Sequence, residues 1–162
     1  MQSPYNFAFD NITNTYNFTT KNSILSRVAF VADYTFSTIA GIDIDHIYQI
    51  VIDKATDDIE PLDTRVSLTI EIIIERFFAN IDNALVYVCS DEDEKAKLRF
   101  DVFDRWYKKS TFKNKIIKID NEIKFSETQK LYTSFLFQKS NPNYKTLIEI
   151  YYNIEKVLNS GK

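Results

Sequence analysis

The sequence predicts an α+β fold with a mainly antiparallel sheet. An N-terminal four-strand meander, one central strand and a C-terminal strand pair are joined by three helices packed largely on one face. Three observations lead there. The first third alternates apolar and polar residues between short turns, Leu85–Cys89 is an unbroken apolar run, and three later segments repeat apolar residues every three or four positions. At 162 residues the chain reads as one domain of residues 1–162. An apolar fraction of 44% and an aromatic fraction of 15% supply its core.

Tyr5, Phe7 and Phe9 share one face of a first strand, and Asp10-Asn11 begins a turn. Tyr16 and Phe18 lie on a second strand, Leu25 to Val31 form a third, and Ile47 to Ile52 a fourth after a looser segment holding Gly41. Turns this short favour antiparallel pairing. The acidic loop Asp57-Asp58-Ile59-Glu60-Pro61 closes the strand region.

Asp63 is placed to cap a helix from about Thr64 to Asn80. Val66, Ile70, Ile73, Ile74, Phe77, Phe78 and Ile81 fill its apolar arc, while Leu68 and Ile72 fall on the far side and call for a second element or a partner. Leu85–Cys89 reads as a strand buried on both sides. A second helix reaches Tyr107, strands are expected over Ile116–Phe125 and Leu131–Gln138 around Ser126–Gln129, and Asn141-Pro142-Asn143 starts a last helix. Leu147, Tyr151, Ile154 and Leu158 form its buried line.

Composition excludes several activities. Two glycines, Gly41 and Gly161, cannot build a phosphate-cradling loop or a dinucleotide fingerprint. A single cysteine allows neither an internal disulfide nor a cysteine-based zinc site. A net charge of -3 gives no general attraction to nucleic acid or anionic membrane. The start of the chain shows no secretory signal, and no apolar run approaches the ~20 residues that span a bilayer. A soluble cytoplasmic protein is expected, with no cofactor and no metal.

The segment from Ala84 to Tyr107 holds the only Cys and the only Trp. Stepping about 100° per residue from Ala96, Phe100, Phe103 and Tyr107 cluster, and Leu98, Val102 and Trp106 extend the arc to one side. Lys95 and Arg99 fall inside that arc, where a cation snorkels, pairs with a carboxylate such as Asp91, or faces a ligand. The run Asp91-Glu92-Asp93-Glu94 suits a helix start, where the dipole favours negative charge. Four carboxylates there oppose a phosphate-binding role for Cys89, and the one histidine, His46, is far away in sequence. No catalytic residue is therefore assigned.

Tyr87-Val88-Cys89, Asp93, Lys95, Arg99 and Phe103-Asp104-Arg105-Trp106-Tyr107 together resemble the signature of an uncharacterised bacterial family, a Bacteroidetes domain of unknown function. The aromatic strands around Phe7 and Tyr16, the helix from Leu68 to Phe78 and Asn141-Pro142 are similar to it as well, so the resemblance covers most of the chain. It departs at Ser90 and Glu94. The resemblance implies fold and kinship, and no activity.

Two further patterns remain. Asp120, Glu122 and Lys124 form an acid-x-Lys pattern of the type that metal-dependent nucleases place on a strand, with a solvated face as the plainer account. Between Arg105 and Lys118 the chain carries Arg105, Lys108, Lys109, Lys113, Lys115 and Lys118 with no acid, interleaved with Trp106, Tyr107 and Phe112. Such a patch suits phosphate backbones and base stacking, with Lys113 and Lys115 at its centre, but equally suits a helix C-terminus. Asp43, Asp45 and His46 fit no calcium loop and read as loop residues. The expected function is a small non-catalytic interaction or regulatory protein acting through a protein partner or as a homodimer, with Lys95, Arg99 and Trp106 at its contact surface. Nucleic-acid binding through residues 105–118, with metal-dependent cleavage as its narrower form, is the alternative.

Overall fold

A computed structural model describes residues 2–41, 43–55, 63–90, 96–124 and 126–160. The acidic loop at 57–61 and the segment holding Asp91–Lys95 lie outside them. The fold is α+β, its strands mostly antiparallel with one parallel pair. Two compact units emerge, one from residues up to Val31 with Ile50–Ala79, the other from Ala32–Gln49 with the chain from Asn80 onward.

In the first unit β1 (Phe7–Asp10), β2 (Thr15–Thr19) and β3 (Leu25–Ala32) form the expected meander, Phe7 opposite Phe18 and Phe18 opposite Ser26. The first turn is fixed by the Asp10 carboxylate, which accepts the Ile12 N–H at 2.8 Å. β4 (Ile47–Lys54) runs beside β3, and Ala55 just past its end donates to the Leu25 carbonyl at 2.8 Å.

Helix α2 (Thr64–Phe77) begins where Asp63 accepts the Arg65 N–H at 2.9 Å. Its buried residues Ile70, Ile73, Ile74 and Phe77 recur at helical spacing, and Phe77 stacks on Phe30 of β3 at 4.3 Å. The helix stops three residues short of Asn80, which leaves Ile81 outside it and exposed. Leu68 and Ile72 are half-buried.

In the second unit the start of β4 pairs in parallel with β5 (Ala84–Ser90), Ile47 opposite Ala84. The chain between them passes through α2, the long connection that a parallel pair requires. β5 pairs antiparallel with β7 (Lys130–Gln138), and β7 with β6 (Ile116–Lys124). A short helix α1 (Thr35–Ala40) stands where the sequence predicts a looser segment, and it ends at Gly41. That residue has φ 67° and donates its N–H to the Ser37 carbonyl at 3.0 Å, a helix stop that suits glycine.

The expectation of helices largely on one face needs correction in this unit. Ala84, Val86, Phe135 and Phe137 pack on Leu147, Ile150, Tyr151 and Ile154 of α4 (Tyr144–Ser160). Tyr87, on the opposite face of β5, stacks on Phe103 of α3 (Ala96–Lys109) at 4.0 Å. The two helices cover opposite faces because successive strand residues point to opposite sides. This is also why Leu85–Cys89 is apolar without alternation.

Candidate interaction surface on helix α3

Helix α3 divides into three sectors. Ala96 and Phe103 are buried against the strands, with Phe100 and Tyr107 half-buried beside them. On one flank, about 80–140° from Ala96, stand Asp104, Lys97, Lys108 and Asp101. They pair among themselves, Lys97 with Asp101 and Lys108 with Asp104 at 2.7 Å. On the other flank, about 180–300° round, stand Arg105, Leu98, Lys109, Val102, Trp106 and Arg99, with no acid among them.

This second flank is exposed, as are Lys97 and Lys108 on the first. Leu98 is 62% exposed, Arg99, Arg105 and Lys109 are exposed, and Val102 and Trp106 are half-buried. Leu98, Val102 and Trp106 succeed one another every fourth residue, so they make one apolar ridge bordered by three cations. Of the contact residues read from the sequence, Arg99 and Trp106 both stand on this flank. Lys95 lies outside the described residues. Leu98 was legible only as apolar. Its angle, nearly opposite the buried cluster, is the signal that it faces outward.

The basic run after α3 splits in two. The Lys118 side chain is only 4% exposed, and its ammonium meets Asp104 at 2.9 Å and also Asp120. It lies 5.2 Å from the Phe100 ring centroid and 5.8 Å from that of Tyr107. Asp120 further accepts from Ser134 at 2.7 Å. Lys118 thus leaves the candidate basic patch and joins a network tying α3 to β6 and β7. Lys108 is likewise held by Asp104. Arg105, Lys109, Lys113 and Lys115 are exposed and carry no carboxylate partner among the described residues.

The groups that looked chemically able are occupied. Burial pushes the Cys89 thiol up, further than its hydrogen bond with Tyr87 and the Arg99 charge bring it down. The Tyr87 hydroxyl is raised too, chiefly by burial. The His46 carbonyl accepts from Ala84 at 2.8 Å, at the start of β5, whereas Cys89 stands five residues along the strand. That separates the two backbones by about 16 Å, too far for a thiol–imidazole pair at this distance. Asp120 and Glu122 share one face of β6, but Asp120 is bound by Lys118 and Ser134, and Glu122 by Lys130 at 3.2 Å. The Lys124 side chain is outside the description. Asp43, Asp45 and His46 are exposed, and among the described residues no group of three or more His, Cys, Asp or Glu side chains could hold a metal ion. Nor is any described helix long and apolar enough to cross a membrane.

No curated protein and no solved structure matches the chain. Residues 62–153, which contain α2, β5, α3, β6, β7 and much of α4, match the Family of unknown function (DUF6169), and the chain belongs to that family.

Proposed function

We propose that the protein is a non-catalytic interaction module whose docking face is the Leu98–Val102–Trp106 ridge of α3. The observation that carries this reading is the segregation of charge on one helix. Every acid of α3 lies on the flank that also holds Lys97 and Lys108, while the charged residues of α3 that border the ridge are Arg99, Arg105 and Lys109. An apolar strip with a cationic border complements a partner segment whose apolar anchors are flanked by Asp or Glu. The ridge offers an aromatic and an arginine, the residue types that dominate contact energies.

The partner is captured from native extract with wild-type protein and with Leu98→Asp and Arg105→Glu, then purified and titrated back. The reading expects both substitutions to weaken binding by about tenfold or more while Lys145→Glu on α4 leaves it unchanged. Equal binding by all four proteins contradicts it. If the partner is a second copy of the chain, sedimentation shows a concentration-dependent dimer that Leu98→Asp dissolves.

A second reading rests on Arg105, Lys109, Lys113 and Lys115, exposed without carboxylate partners among the described residues around the turn after α3. Four such cations on a single-stranded nucleic acid give a slope of log K against log salt of about -3. Lys113→Glu with Lys115→Glu should then abolish retention on a DNA column. Retention that never exceeds that of the double variant excludes this reading.

A further inference from the structure

The first unit holds a cleft of about 530 Å³ that lies almost wholly outside the family-matching segment. β1 and the chain before it form one wall, the end of β2 and the turn after it the other, and Arg65 of α2 closes one side. Tyr5 and Phe18, both buried, stack in parallel at 6.1 Å beneath it. The lining mixes polar and apolar groups: Asn6, Asn17 and Thr19 stand beside Phe7, Ala8 and Leu25, with Lys21 and Arg65 as cations and no carboxylate among the lining residues.

Asp63 stands behind this lining with both oxygens in use. It accepts the Tyr5 hydroxyl at 2.5 Å through one oxygen and the Arg65 N–H at 2.9 Å through the other. Tyr5 in turn accepts the Lys21 N–H at 3.0 Å, so one bonded chain braces the cleft. The Arg65 guanidinium lies 3.9 Å from the Tyr5 ring centroid and spends Nε on the Ser3 carbonyl at 2.8 Å and Nη2 on Pro4 at 3.4 Å. Its Nη1 edge and the Lys21 ammonium have no hydrogen-bond partner among the described residues.

Among the described residues, two cations in front of one carboxylate leave a single net positive charge, which matches a monoanion better than a dianion. The amide and hydroxyl side chains beside them match hydroxyl groups. We infer that the cleft binds a small hydroxylated monocarboxylate, a sugar acid being the class that fits, with its carboxylate between Lys21 and Arg65 and its hydroxyls on Asn6, Asn17 and Thr19. The inference is independent of the α3 docking face.

The test is titration of the full chain with gluconate, glucose and glucose 6-phosphate, followed by NMR of the Asn6, Asn17 and Thr19 signals. Saturable gluconate binding is expected, at least about tenfold tighter than glucose. Lys21→Ala, at an exposed side chain, should weaken it by about tenfold, and Lys156→Ala should not. Asn17→Asp keeps the oxygen that Thr15 donates to at 3.2 Å but adds a negative charge, and should weaken gluconate further. Three results each overturn the inference: gluconate leaving these signals unmoved, equal affinity in Lys21→Ala, or tighter binding of glucose 6-phosphate.

Discussion

Lys118 of β6 and Asp104 of α3 meet at 2.9 Å with 4% of the lysine side chain exposed, so the sheet and helix are joined by a nearly buried ion pair. Breaking such a pair from one side is costly where the other charge stays buried, and Asp104→Asn leaves Lys118 with only the more exposed Asp120. It should cost about 2 kcal/mol, less than a fully buried pair, because the aspartate side chain is 22% exposed and Asp120 remains. Lys118→Met, which keeps an extended chain over Phe100 and Tyr107 and leaves Asp104 its Lys108 partner, should cost less, about 1 kcal/mol. Urea denaturation of the two variants checks the order; a costlier Lys118→Met contradicts it.

The same aspartate sets a pH dependence. Burial raises the Asp104 carboxyl, but hydrogen bonds from Lys108 and Lys118 outweigh it and hold the group below its ordinary 3.8. A depressed pKa gives a contribution that is complete above the unfolded value and lost as pH falls through the folded one. The stability gap between wild type and Asp104→Asn should therefore be constant from neutral pH down to about 5 and close below about 4. Equilibrium unfolding at a series of pH values measures it. A gap that closes between pH 8 and 6 assigns the effect to another group.

Cys89 gives a third expectation. It is 3% exposed on a strand covered on both faces, with its thiol raised by burial. Labelling with a disulfide reagent at pH 8 should follow the rate of unfolding, and denaturant should release one thiol per chain. Rapid labelling of the native protein would restore Cys89 as a chemical centre.

Much of the fold was legible in the sequence because period and punctuation agree there. Asp63 announced α2, the Asn141-Pro142-Asn143 start fits α4, and Ser126–Gln129 marks the turn between β6 and β7. The Asn141 side chain accepts the Asn143 N–H at 2.8 Å, a local device that leaves a local trace. The parallel β4–β5 pair left none, since alternation is the same in either direction. Lys118 falls within the basic run because Asp104 belongs to another element and Asp120 comes two residues after it, and charge is read in sequence before pairing is known. Helix angle did better, placing Trp106 on the same flank as Arg99, but could not tell which end of the apolar arc faced water. The cleft beside Tyr5 escaped entirely, because its walls come from β1, β2 and α2, brought together only by the fold.

The central claim is that the Leu98–Val102–Trp106 ridge meets the partner. Trp106 is the only tryptophan, so its fluorescence reports on that ridge alone. On titration with the purified partner, the emission should shift to the blue as the half-exposed indole loses water, and Leu98→Asp should remove both shift and binding. Binding of full strength with unchanged Trp106 emission, equally in wild type and Leu98→Asp, would place the contact elsewhere and contradict the account.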